Sequence, residues 1–239
     1  ASAADVDEMR DVLFVDIESG SSSVVSTNVQ DVLRISNFDE ISEIHTFLAA
    51  MCKARDSSDP EGNLKKVSAK FFGDPEAVTK FYNTVVIDTL SELQRLNMYK
   101  ILGIDMDNLA MDDEWEQLEF SHWNKTTNMM RIVTRGFRNL PMHTIFTSHE
   151  VEDEKRKKVT IAFPNALRSE IPGFVDMVGY LRASNSIDAN GIVTTERRLE
   201  LEDSRKYLAK HRLGKALEGR SGIADPTMKK LFDIRQMAD

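Results

Sequence analysis

Val12-Leu-Phe-Val-Asp-Ile17 is a short apolar run of strand formers, and it closes on Asp16, Glu18 and Gly20. It shows no polar alternation. A strand buried on both faces reads this way, as in a parallel sheet covered by helices. Two later runs have the same character: Thr84-Val-Val-Ile-Asp88 and His143-Thr-Ile-Phe-Thr-Ser148. Between them the period becomes helical. Ile41, Ile44, Leu48 and Met51 repeat at helical spacing over residues 38–55, with Asn37 or Asp39 available as a cap. Another helix is expected through Leu90, Leu93 and Ile101. A longer one, ended by Pro141, carries Trp115, Leu118, His122, Thr126, Met129 and Val133 on one face.

Strands alternating with helices imply right-handed crossovers and a mainly parallel sheet sandwiched by helices, an α/β fold. Residues 56–73, with their Asp, Ser, Pro and Gly, read as a loop. Asp74-Pro75-Glu76 reads as the start of a short helix reaching Tyr82. Residues 150–158 read as a charged loop and 174–182 as a fourth strand. Asn190-Gly191 marks an antiparallel hairpin near the C-terminus, and the tail from Pro226 reads as a short helix. The whole chain, 1–239, is expected to be a single domain.

Composition narrows the class. Of 239 residues, 41% are hydrophobic and 29% charged, which is enough apolar material for a core. No apolar run is long enough to span a membrane, and no secretory leader is visible. One cysteine, Cys52, can form neither an intrachain disulfide nor a cysteine zinc site, so a reducing, cytoplasmic setting is expected. The net charge of −8 argues against an extensive nucleic-acid surface but allows a local basic patch.

In open α/β sheets ligands bind beyond the carboxyl ends of the strands. The polar residues there are Asp16 with Glu18, then Asp88, then Ser148 with His149. A carboxylate in such a place can hold Mg²⁺ through water, and a second can deprotonate an attacking water. Taken alone, Asp88 reads equally well as a turn former or cap, and Glu18 and His149 read better as surface groups. The order of all three strand ends carries more information than any one of them.

That order resembles the core of RecA-type P-loop ATPases, and more closely the phage-encoded RecA-like ATPases grouped with single-strand annealing and recombination proteins. The matching pieces are Leu13-Phe-Val-Asp-Ile-Glu18, Val85-Val-Ile-Asp-Thr-Leu90 and Thr144-Ile-Phe-Thr-Ser-His-Glu150. Pro164 to Val178 resembles the family's Pro-Gly-x-x-Asp stretch, and Ala209-Lys-His-Arg212 its Ala-Lys-Asp-Arg motif, with His211 in place of Asp. The resemblance covers residues 1–235. It implies ATP and Mg²⁺ as ligands, with Asp88 as the Walker B carboxylate holding the Mg²⁺ water shell and Glu18 as general base. Asp16 and Thr89 would lie against the nucleotide. Ser148 and His149 would sense the γ-phosphate. Lys210 and Arg212 would reach a neighbouring subunit's nucleotide, a role worth roughly 10³-fold in rate. It also implies a homo-oligomer, ring or filament, acting on single-stranded DNA. The DNA contacts would come from Lys155, Arg156, Lys157, Lys158 and Arg168 on phosphates, with Phe163 stacked on a base.

A P-loop needs Gly-x4-Gly-Lys-Ser/Thr, so that backbone N–H groups wrap the phosphates and Lys neutralises them. The sole Gly-Lys pair, Gly214-Lys215, is followed by Ala216 and does not fit. Ala1-Ser-Ala-Ala-Asp-Val6 reads like the later part of the helix that follows such a loop, so the first strand and loop are expected upstream of residue 1. Two alternatives stay open: a non-hydrolysing DNA-binding or scaffold protein of degenerate RecA-like fold, and an ATPase acting on a replication protein.

Overall fold

The computed structural model describes residues 2–20, 30–104, 118–155, 157–187, 191, 193–217 and 221–236. They form two compact units, Asp7–His149 and Ser2–Val6 with Glu150–Asp239. Each is described by itself.

The first unit is built on a four-stranded parallel sheet of β1 (Val12–Asp16), β2 (Gln30–Arg34), β3 (Thr84–Asp88) and β4 (His143–Phe146), in the order β2-β1-β3-β4. The three strands expected from their apolar runs are all present. β1 and β3 lie at the centre, and Val12, Leu13, Val15, Val85 and Ile87 are buried as their uninterrupted apolar sequences require. Their register sets Asp16 opposite Asp88, so both strands end at one level.

Four helices flank this sheet: α1 (Asp39–Arg55), α2 (Pro60–Phe72), α3 (Leu90–Leu102) and α4 (Phe120–Arg138). α1 packs on α2, and α3 on α4. Among the described residues no helix is long and apolar enough to cross a membrane.

Residues 56–73 are not a loop. Asp59 caps α2 by accepting from the Gly62 N–H at 3.1 Å, Pro60 occupies its first turn, and Gly73 ends it at φ 75°. The breakers sit at the helix ends, where they belong, rather than in its middle. The helix expected over 74–82 does not form. The Asp74 side chain accepts from the Glu76 N–H, Ser68 Oγ donates to the Asp74 carbonyl, and the Val78 N–H donates to Ser68 Oγ. Side-chain bonds of this kind compete with helix for the same backbone groups. β2 went unread because only Val32 and Leu33 are apolar in it.

The second unit is antiparallel. β5 (Glu150–Asp153) and β6 (Lys158–Ile161) form a hairpin where a charged loop was expected, the charges having masked the strand period. α5 (Asn165–Phe174) ends where the fourth strand was expected to begin. That strand is instead divided into β7 (Met177–Val178) and β8 (Tyr180–Ile187). β8 pairs with β9 (Val193–Glu200) in the expected hairpin, and β9 with β11 (Gly222–Ala224). Asn190 lies outside the described residues. β10 (Lys210–His211) pairs with β7. Leu201, Leu213, Leu217, Ile223 and Ile234 make the core, closed by the terminal helix α6 (Met228–Gln236).

Candidate functional site

The first unit gathers its polar groups where β1, β3 and β4 end. β1 runs out into Glu18, β3 into Asp88 and Thr89, and β4 into Thr147, Ser148 and His149. The Ile17 N–H donates to the Asp88 carbonyl at 2.8 Å, and the Leu90 N–H to the Thr147 carbonyl at 2.9 Å. These two bonds continue the sheet past its strands and lock the three polar ends together. The Asp88–Thr89 peptide is cis.

The Glu18 carboxylate accepts from Thr89 Oγ1 at 2.7 Å and meets His149 Nε2 at 2.5 Å. Burial pushes its pKa up. The hydrogen bonds from His149 and Thr89, and the positive fields of His149 and Arg95, outweigh that and hold it below the usual range. Glu18 is therefore an ionised acceptor at neutral pH. Asp88 accepts from Thr147 Oγ1. Ser148 Oγ lies 3.1 Å from Ser91 Oγ, which also accepts from the His149 N–H at 3.0 Å. Thr89 has a second task as the N-cap of α3, accepting from the Glu92 N–H at 3.3 Å. The segment 147–149 thus touches both carboxylates and the start of α3.

Asp16 is brought to the same end of the sheet but is buried. Its carboxylate accepts from the Gly20 N–H at 3.2 Å and lies 3.6 Å from Arg34 Nε, so it shapes the turn after β1. Sequence reasoning missed Thr147, Ser91, Glu92 and Arg95. Glu92 was findable, since Thr89-Leu-Ser-Glu92 is a capping-box pattern. Nothing in the sequence singles out Ser91. Glu18, Glu92 and His149 each offer a ligand atom within 4.8 Å of the others, while Glu92 is also paired with Arg95. Asp88 is not part of that group.

Lys210 and Arg212 belong to the second unit, where both are bound to the end of α5. Lys210 Nζ donates to the Pro172 and Val175 carbonyls. Arg212 pairs with Asp176 at 2.9 Å and donates to the Gly173 carbonyl at 3.2 Å. Helix ends leave carbonyls unsatisfied, and cations suit them. Burial, then the neighbouring Arg212, lower the Lys210 pKa, with Asp176 opposing. The Pro-Gly-x-x-Asp stretch and the late basic motif are thus one clamp. Lys210→Met is expected to destabilise the second unit by about 1.5–3 kcal/mol, the usual worth of hydrogen bonds to a charged group. Differential scanning calorimetry checks this, and an unchanged transition would refute the clamp.

The residues expected on DNA are only partly available. Phe163 is 3% exposed and has no open ring face, which corrects its assignment to base stacking. Lys158 Nζ is committed to Asp203 at 2.5 Å, and Arg168 Nε donates to the Phe163 carbonyl. Lys155 and Lys157 are exposed at the tip of the β5–β6 hairpin. Arg156 lies outside the described residues.

The residues present fit the metal side of a nucleotide site. Asp88 would offer a hard carboxylate oxygen to a hydrated Mg²⁺, and Glu18, two residues past the end of β1, a second, ionised oxygen. The phosphate-wrapping Gly-x4-Gly-Lys-Ser/Thr pattern does not occur in the 239 residues. No curated protein matches the chain. A family model described as "AAA domain" matches residues 3–213, which takes in every strand end of the site as well as Lys210 and Arg212. With a parallel α/β sheet, acidic strand ends and a match over most of its length, the chain belongs to the AAA domain family of nucleotide-binding P-loop ATPases.

Proposed function

We propose that this domain serves an ATP-dependent protein of the RecA-like class that binds single-stranded DNA in recombination or annealing, and that ATP is hydrolysed between subunits of a homo-oligomer. The observation that carries the reading is the joined pair of strand ends: ionised Glu18 just past β1, Asp88 at the end of β3, and Thr147 and His149 bonded to one each. Glu18 takes the proton of the attacking water, and Thr89 and His149 hold its carboxylate in place. Asp88 holds the Mg²⁺ water shell, with Thr147 fixing its rotamer. Mg²⁺ held there would supply positive charge to offset that on the phosphate oxygens. Ser148 and His149 relay the state of that site to α3 through Ser91. Lys210 and Arg212 serve the neighbour's nucleotide, for which Lys210 leaves the α5 carbonyls. The protein works in the cytoplasm, that of the host where the gene is phage-borne.

Single-stranded DNA is expected to raise ATP turnover, and its binding to weaken steeply between 50 and roughly 200 mM salt. Reversing Lys155 and Lys157 to Glu should flatten that dependence. Turnover indifferent to DNA would favour the second reading, an ATPase acting on a protein partner. The commitment of Lys158 to Asp203 and the burial of Phe163 speak for that alternative. Equilibrium binding of ATP beside steady-state turnover is the direct check, and protein that binds no nucleotide would sink ATP hydrolysis by this route.

A further inference from the structure

The second unit carries a strand edge that no other described strand pairs with. β8 is the outer strand of the sheet β11-β9-β8, and every residue of Leu181–Ile187 is exposed. β11 pairs only with Arg198–Glu200 of β9. Beyond that, Ala183–Ile187 and Val193–Arg197 form a two-stranded ribbon with both faces exposed. Such a ribbon is marginal in water by itself, and a third strand or a covering layer is what normally steadies it.

Proteins usually blunt an open edge with Pro, Lys, a bulge or an inward charge. Tyr-Leu-Arg-Ala-Ser-Asn-Ser-Ile, residues 180–187, has no Pro and no Lys, and it pairs with β9 without a bulge. Its one charge, Arg182, is paired within the chain with Glu200 at 2.7 Å, a carboxylate that Arg198 shares. The edge is instead apolar near its two ends. Leu181 is 58% exposed and Ile187 72%, and Val193, opposite Ile187 on β9, is 58% exposed. Residues facing one another across an antiparallel pair share a face, so Leu181, Ile187, Val193 and Leu199 lie on one side of the ribbon. Leu199 joins the core of the unit.

We propose that β8 pairs antiparallel with β8 of a second copy of this chain, about a two-fold axis at Ser184. The sequence is self-complementary in that register. Leu181 comes opposite Ile187 of the other copy, Arg182 opposite Ser186, Ala183 opposite Asn185, and no like charges meet. Together with the existing β8–β9 register, two unbroken apolar rows cross the four strands: Leu199, Leu181, Ile187, Val193 and the symmetric row. Shifting the two-fold to Ala183 places Leu181 against Asn185 and breaks both rows. A slip by one residue would put side chains on opposite faces. The contact is isologous and closes as a dimer. It makes no use of the nucleotide site.

Sedimentation velocity on the whole chain, without nucleotide, tests it. A concentration-dependent dimer is expected. Ile187→Lys alters a symmetric pair twice and should weaken that dimer about tenfold or more. Its circular dichroism should not change, because the side chain is exposed. Register is read by crosslinking. Ser184→Cys sits on the axis and should give a covalent dimer on mild oxidation much faster than Ser186→Cys, which faces Arg182. A chain that stays monomeric overturns the proposal. So does a dimer that Ile187→Lys leaves unmoved, or a Ser184→Cys crosslink no faster than that of Ser186→Cys. Each result leaves the ATPase reading where it stood, since that rests on turnover.

Discussion

Glu18→Gln is expected to cut ATP turnover by roughly 10²–10³-fold while leaving nucleotide affinity nearly unchanged, the size of effect that loss of a general base produces. Gln keeps the shape of Glu and can still accept from Thr89 Oγ1, so the strand end should hold its place. What it loses is the charge that takes a proton. The measurement is steady-state hydrolysis beside equilibrium nucleotide binding, in protein carrying these residues behind a phosphate-binding loop. The pH profile supplies a second readout. Glu18 has a lowered pKa, so its working, ionised form is present above that value and is lost as pH falls through it. The acid limb of turnover should therefore lie below the ordinary carboxylate range. His149→Ala removes a hydrogen bond and a positive field, and should move that limb upward. Turnover unchanged in Glu18→Gln would end the assignment. A limb unmoved in His149→Ala would show that His149 does not tune the base.

The sequence made the centre of the site legible and left its support hidden, for a physical reason. β1, β3 and β4 are short apolar runs, and the topology of an open parallel sheet dictates where their last residues go. Asp16, Glu18, Asp88, Ser148 and His149 could be singled out from that alone. Which of them touch could not be read, because it depends on rotamers and on loops of a few residues. Thr147 on Asp88 and Ser91 under Ser148 are contacts of that kind. Lys210 and Arg212 show the reverse case. Their pattern was visible, but the α5 carbonyls they bind belong to residues 172–175, more than thirty positions away. Phe163 was read from residue type, and burial decided against it.

Phe137→Ala is expected to destabilise the first unit by about 3–5 kcal/mol, the range for a fully buried aromatic truncated in a core. The reason lies in how α4 is seated. Its buried residues are Thr126, Met130, Thr134 and Phe137, one position round from the Met129 and Val133 expected on the core stripe. Gly136 faces α1. A Cβ there would come 3.2 Å from His45 Nε2, so its absence lets α4 approach α1 closely. Phe137 fills the contact so formed, meeting the His45 ring edge-on at 5.3 Å. Its carbonyl also accepts from Thr144 Oγ1 at 3.1 Å, which ties the end of α4 to β4 and so to the strand that presents Thr147 and His149. Ile132→Ala on the same helix is the control. Ile132 is largely exposed, and its loss should stay within about 0.5 kcal/mol. Denaturant unfolding followed by tryptophan fluorescence separates the two, because Trp123 lies in α4 itself. A larger loss from Ile132→Ala than from Phe137→Ala would mean that α4 is seated on the other face. A large loss from Phe137→Ala alone would confirm that the Phe137 face of α4 is the one packed in the core of the first unit.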